Sequence, residues 1–339
     1  MKFLQDIFTI YKNLTNFLRL LYNTKISFWS WECGVAWFNT LPCQGRDRGF
    51  KSRRSRQDLK LKVLSYFRWG LFFLDNNMKF DKFTNVAIES AHKGAEVLLK
   101  YFNNIKKIEY KGRIDPVTIA DKTSQKAIVD NIKQYFPLHD IIAEEKDENL
   151  SQNSNDYCWI IDPLDGTVNY VHGIPTFAIS IGLKYKKEII SGVIYAPALK
   201  EMFVAQKGKG AYLNNKKITV SKIKEMVRAL SVTGFPYYVK ENPNRVIKNF
   251  KNIMLETQGL RRFGAASIDL GYVACGRFDF FWEEGLKPWD VAAGIVIIKE
   301  AGGKITDFYG DKDYLFGKTI VASNKILHKD IIKVLNETK

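Results

Sequence analysis

Residues 157–173 read YCWIIDPLDGTVNYVHG, and the apolar run Trp159-Ile160-Ile161 within them predicts a buried strand. The strand ends on Asp162 and Asp165, three residues apart, and turns at once into Gly166-Thr167. Desolvating a carboxylate is costly unless a positive charge meets it. No Lys or Arg lies between Trp159 and Gly173. The compensating cation is therefore either distant along the chain or not part of it.

Working outward, FTNVAIESAHKGAEVLLKYF reads as a helix of period near 3.6, and Asp121 to Phe136 as another. Strands are expected at DIIAE, YCWIID, TFAISIGLKYK, EIISGVIYAP and EMFVAQ, and GKGAYLNNKKITV reads as a hairpin turning at Asn214-Asn215. Helices follow at ENPNRVIKNFKNIMLET and AASIDLGYVAC, a strand at RFDFFWE, and a helix at PWDVAAGIVIIKEAGG opened by Pro288. Strands near KITDF and TIVAS and a last helix ILHKDIIKVLNE complete the chain. Strands cluster first and then mix with helices, which implies layered sheets with helices between and outside them.

Several acids sit where these elements begin or end: Asp121, Glu144, Glu145, Asp162, Asp165 and Asp290. Singly, an Asp at a helix start reads as a cap, and two Asp beside Gly-Thr as a turn. Together, strand-end carboxylates with buried approaches and no adjacent base call for a ligand. Oxygen donors without Cys or His favour Mg²⁺ or Mn²⁺ over zinc. Backbone N–H groups of Gly166 and Thr167, where a helix or turn begins, suit an anion. Metal on one side and N–H donors on the other make a site for a phosphate monoester, and the missing cation would be a bound metal.

The bulk composition narrows the alternatives. Of 339 residues 46% are apolar, enough for a sizeable core. The formal charge of +16 raises nucleic acid or anionic membrane as partners. Residues 1–77 carry 13 Lys+Arg against 5 Asp+Glu, and the rest of the chain 39 against 31, so the second surplus reads as a solvated lysine-rich surface. Cys33, Cys43, Cys158 and Cys275 show no CxxC spacing, and His92, His139, His172 and His328 no HxxxH or HExxH, which argues against zinc and a disulfide framework and fits a reducing compartment. Gly317-Lys318-Thr319 resembles the tail of a P-loop, but Lys312 stands where the earlier glycine is required.

WIIDPLDGTVNYVHGIPTFAISIGL together with WEEGLKPWDVAAGIVIIKEAGG resembles the two signature segments of the inositol monophosphatase family. The resemblance extends to DPVTIADK, IIAEE and RRFGAASIDLGYVACGRFDFFWE and covers the chain from Met78 onward. It implies an α/β (α+β layered) fold, the five-layer α-β-α-β-α sandwich of the inositol monophosphatase and fructose-1,6-bisphosphatase type. It also implies a cytoplasmic homodimer that hydrolyses a small phosphorylated polyol with two or three Mg²⁺ (or Mn²⁺) ions and is inhibited by Li⁺. Matched by motif, Glu144, Asp162, the Leu164 carbonyl, Asp165 and Asp290 would be metal ligands. Asp121 and Thr167, with Glu144, would orient the attacking water, while Gly166 and Thr167 N–H hold the phosphate. Glu283 and Ala266 fall at substrate-side positions, and Lys111 fits a lysine near the site or, equally well, an ordinary surface lysine. Related phosphatases of histidinol phosphate, fructose 1,6-bisphosphate or 3′-phosphonucleotides share such a metal core, and some bacterial members are RNA-linked regulatory proteins, so these stay open.

The expected organisation is an extension over 1–77, a metal-binding subdomain over 78–225 and a subdomain over 226–339 completing the site. The extension holds an amphipathic stripe at 3, 4, 7, 8, 14, 17, 18 and 21, four of the seven tryptophans and the basic run GRDRGFKSRRSRQDLK. It reads as poorly ordered or not native, with MKFDKFTNVAIES resembling a true start, or as a membrane-surface anchor or targeting segment. Membrane contact is expected only if it is part of the working protein.

Overall fold

The computed structural model describes residues 80–102, 108–110, 116–145, 156–236, 239–240 and 243–337. The expectations for residues 1–77 and for Lys111 lie outside them. These residues belong to one compact unit, Phe72–Lys339.

Helix α1 (Lys82–Tyr101) starts at Asp81, whose side chain accepts the Thr84 N–H at 2.8 Å. The short antiparallel pair β1 (Ile108–Tyr110) and β2 (Pro116–Thr118) runs directly into α2 (Ile119–Tyr135). A seven-stranded sheet follows in chain order: β3 (Asp140–Ala143), β4 (Tyr157–Asp165), β5 (Ala178–Tyr185), β6 (Glu188–Ala196), β7 (Glu201–Gln206), β8 (Gly210–Leu213) and β9 (Lys216–Ile218). Only the β3–β4 pair in it is parallel. The one-turn helix α3 (Thr167–Val171) separates β4 from β5. A second sheet has the order β11-β10-β12-β14-β13, from β10 (Leu230–Thr233), β11 (Gly259–Arg261), β12 (Phe280–Glu284), β13 (Lys304–Thr306) and β14 (Thr319–Ser323). Its helices are α4 (Pro243–Glu256), α5 (Ala266–Ala274), α6 (Pro288–Glu300) and α7 (His328–Asn336).

Strand alternation sorts the apolar residues into layers. On β4, Trp159 and Ile161 pack with α1 and α2, whereas Cys158 and Ile160 pack with α5 and α6. On β12, Phe281 joins the same inner core as α5 and α6, while Phe280 and Trp282 face Ile253 of α4 and Ile331 and Leu335 of α7. The order is thus α1α2, seven-stranded sheet, α5α6, five-stranded sheet, α4α7. That is the five-layer α-β-α-β-α arrangement that the family resemblance implied.

The hairpin turn is where it was expected: Asn214 and Asn215 have φ of 46° and 69°, the pair of left-handed residues a two-residue turn requires. Strands β1, β2, β10 and β11 carry no sequence signal of their own. At three or four residues each they show no period of two. Unlike the equally short β3, β8, β9 and β13, they lie in no apolar run or hairpin pattern that marks them, so pairing with neighbours is what makes them strands. Among the described residues no helix is long and apolar enough to cross a membrane.

Candidate active site

Four elements, β3, β4, α2 and α6, bring the acids together. Strand β4 ends on Asp162 and Asp165, both buried. On a straight strand residues three apart face opposite sides. Here the pairing with β5 passes from Asp162↔Ser180 to Asp165↔Ala178, so β4 holds one residue more than its partner, a β-bulge. The bulge re-aims the strand end so that the two carboxylates act on one another. Leu164 N–H donates to Asp162 Oδ1 at 2.9 Å, and Asp165 Oδ2 accepts the Ser267 N–H at 2.7 Å and its hydroxyl. The N–H groups of Gly166 and Ala266 also point at Asp165.

Gly166 is the pivot of the turn. Its φ is +85°, and a Cβ there would stand 2.9 Å from the Thr176 carbonyl and 3.1 Å from Ala265 Cβ, so no other residue fits without strain. Thr167 Oγ1 then donates to the Leu164 carbonyl at 2.9 Å and lies 3.4 Å from Asp121 Oδ1. The proton serves Leu164 first, and the Asp121 contact is the longer and weaker one. A carbonyl has two lone pairs, so Leu164 keeps acceptor capacity beyond this bond.

Asp121 and Asp290 each sit at the third residue of a helix and do cap it. Asp121 Oδ2 accepts the N–H (2.8 Å) and hydroxyl (2.6 Å) of Thr118, and Asp290 Oδ2 the N–H of Lys287 (2.7 Å). The cap explains their place in sequence, and the other carboxylate oxygen is what each offers the site. Glu144 directly follows β3, its N–H bonded to the Ile161 carbonyl at 3.2 Å. Gln125 of α2 clamps the neighbouring Glu145 backbone through two hydrogen bonds of 2.7 and 3.0 Å.

The charges acting on Asp162 are Glu144, Asp165 and Asp290, all carboxylates. With burial, they hold its pKa well above the ordinary value. Asp290 is raised by burial, then by Asp165 and Glu144. Burial lifts Asp165 to about 6 against the opposing hydrogen bonds of Ser267, Ala266 and Gly166. Asp121 reaches about 6 by burial, opposed by Thr118. Among the described residues no three acidic, His or Cys side chains are already closed into a coordination cage. The donor set nevertheless fits a hard divalent cation: it is all oxygen, and Asp162 and Asp290 are both destabilised by neighbouring carboxylates.

Glu283, at the end of β12, is buried and held high by burial and by Asp290, with Arg262 opposing. It accepts the Gly234 N–H and packs against that residue's Cα. Ala266 opens α5 beside Asp165. The structure therefore gathers Glu144, Asp162, Leu164, Asp165, Gly166, Thr167, Asp121 and Asp290, with Ala266 and Glu283 adjoining. Thr118, Ser267, Gly234, Arg262 and Asp269 were not read from sequence. Asp269 is buried beside Glu283, Asp165 and Arg262, its Oδ1 without a hydrogen-bond partner among the described residues. Nothing in a Thr, Ser or Gly by itself marks such a supporting role. Thr118 stood within DPVTIADK, and Arg262, Ser267 and Asp269 within RRFGAASIDLGYVACGRFDFFWE, stretches already singled out; only Gly234 lay outside them.

Comparison with known proteins gives concordant matches. The family model described as "Inositol monophosphatase family" matches residues 79–339. The chain is 35% identical over 255 residues to the inositol-1-monophosphatase of Mesorhizobium japonicum, covering 75% of this chain and 96% of that protein. It is 41% identical over 255 residues to the Nus factor SuhB of Vibrio cholerae, covering 75% and 95%. The crystal structure of the extragenic suppressor protein suhB from Bartonella henselae superposes with a TM-score of 0.73 at 36% identity, covering 76% of this chain and all of that one.

Proposed function

Because the chain belongs to the inositol monophosphatase family, we propose that it is a phosphate monoester hydrolase acting on inositol 1-phosphate or a closely similar polyol phosphate. The observation that carries this is the convergence of Glu144, Asp162, Asp165 and Asp290 beside the Gly166-Thr167 turn. Glu144, Asp162, the Leu164 carbonyl, Asp165 and Asp290 would hold two or three Mg²⁺ ions, with Mn²⁺ as a substitute. When bound, such ions stabilise charge on the phosphoryl oxygens and lower the pKa of water enough that no histidine base is needed. Thr118 holds one oxygen of Asp121, so its other oxygen and the Thr167 hydroxyl are kept facing each other to orient a water with Glu144. The N–H groups at Gly166 and Thr167 take the phosphate, that of Gly166 exchanging its bond to Asp165 for it, and Glu283 accepts hydrogen bonds from the substrate hydroxyls beyond Ala266. The working protein is, on this proposal, a cytoplasmic Li⁺-sensitive homodimer.

The test is phosphate release with Mg²⁺ from inositol 1-phosphate, histidinol phosphate, fructose 1,6-bisphosphate and a 3′-phosphonucleotide. The highest kcat/KM is expected on the first, and a preference for any other overturns the substrate assignment. A second reading, an RNA-linked regulatory role, is favoured by the Nus factor name of the Vibrio cholerae relative. Salt-sensitive RNA binding that survives Asp162→Asn would support it, since phosphate contacts on RNA come from Lys and Arg rather than from this site.

A further inference from the structure

We propose that Arg245 is a positioning residue for substrate recognition, acting through Glu284 on Glu283; this rests on the reading of Glu283 as the carboxylate that meets substrate hydroxyls. Arg245 Nη2 lies 2.9 Å from Glu284 Oε2, with side-chain exposures of 41% and 10%. Arg245 is the third residue of α4, whose first turn contains no acid. A cation there opposes the helix macrodipole, so the helix itself does not call for it. Its partner does: Glu284 is almost fully buried at the end of β12, and an unpaired carboxylate there would be strongly disfavoured.

The pair lies on the side of the sheet away from the site. Glu284 follows Trp282 on the outer face, and Glu283 follows Phe281 on the inner face. The strand end is thus gripped from three directions. Arg245 holds Glu284 from outside. Gly285 N–H donates to the Lys318 carbonyl at 2.8 Å, within the sheet, just before β14. Gly234 N–H meets Glu283 from within. The outer and inner grips share one helix, because Phe250 of α4 packs against Phe235, next to Gly234, with ring centroids 5.9 Å apart. Helix α4 therefore fixes both the strand that carries Glu283 and the backbone that donates to it.

The experiment compares the wild-type chain with Arg245→Met, Glu284→Gln and the swapped pair Arg245→Glu/Glu284→Arg. Each is assayed with Mg²⁺ on inositol 1-phosphate and on p-nitrophenyl phosphate, which offers no hydroxyls to Glu283. Each single change is expected to raise KM for inositol 1-phosphate about fivefold, with kcat held within about twofold and p-nitrophenyl phosphate little affected. The swapped pair should recover part of the loss. Unchanged KM on inositol 1-phosphate, or an equal loss of kcat on both esters accompanied by a lower Tm, overturns the positioning role and leaves the phosphatase reading intact. A wild-type protein that releases phosphate from neither ester overturns both.

Discussion

At the scale of single residues, Asp162 combines burial with three like charges, so its negative charge burdens the metal-free protein. Asp162→Asn removes that repulsion. The metal-free variant should melt at or above the wild-type temperature, lose the upward shift that Mg²⁺ gives the wild type, and lose at least about 100-fold in turnover. Scanning calorimetry with EDTA and with Mg²⁺, alongside phosphate release, checks all three. Near-normal turnover would remove Asp162 from the ligand set. Glu283 predicts the opposite signature: Glu283→Gln keeps the shape and drops the charge, so KM should rise more than kcat falls, and more on polyol phosphates than on simple esters. An equal fall in kcat on every substrate would count against its substrate-side role. The sequence displayed both acids, since each ends an apolar run. It concealed the supports of the site's acids, Ser267 at Asp165, Thr118 at Asp121 and Gly234 at Glu283, because small polar and glycine residues take meaning only from what lies opposite them.

At the scale of elements, α6 places Asp290 by resting on glycines of the first sheet. A Cβ on Gly192 of β6 would meet the Ala293 carbonyl and Val296 Cγ1, both at 2.6 Å, and one of these is backbone that cannot step aside. Gly192→Ala is therefore expected to destabilise by about 1–3 kcal/mol and to raise the Mg²⁺ concentration needed for half-maximal activity. A urea melt and a Mg²⁺ titration read the two effects, and a silent substitution would mean that α6 is not held by this contact. Helix α7 has a different fastening: buried His328 bonds to Ser323 Oγ at 2.7 Å and Thr306 Oγ1 at 2.9 Å, and burial lowers its pKa from 6.5 to about 4. The unfolded chain takes up this proton before the folded one. Stability from this group is complete above pH 6.5 and is lost as pH falls towards 4, by up to about 3 kcal/mol. Urea midpoints at pH 7 and pH 5 should differ less in His328→Gln than in the wild type, and equal slopes would clear His328. The long helices and strands here were legible as periodic patterns. Strands β10 and β11 were not, because pairing rather than pattern makes them.

At the scale of the whole molecule, the three apolar clusters between the layers are built from residues 86 onward. A core of that extent is ample for independent folding, so residues 78–339 alone are expected to melt cooperatively and to keep the full chain's kcat/KM. Loss of solubility or activity on removing residues 1–77 would show that the core leans on them. By itself the sequence determined that sheets are layered with helices between and outside them, and the chemical kind of site; the order of five layers came from the family resemblance. The apolar runs of β4 and β12 already state strands buried on both faces, period 3.6 marks the covering helices, and strand-end carboxylates without histidine already favour a hard cation. The sequence did not determine that the charges of Asp162 and Asp165 act on one another. Spaced three apart, they would diverge on a regular strand, and they converge only because β5 pairs with β4 across a bulge. Nor could it show that α4, distant in sequence, reaches Glu284 behind the substrate-side carboxylate. Periodicity is a local property written along the chain. Register shifts and ion pairs between layers arise only when the sheet and its covering helices are assembled, and the decisive geometry belongs to the tertiary structure.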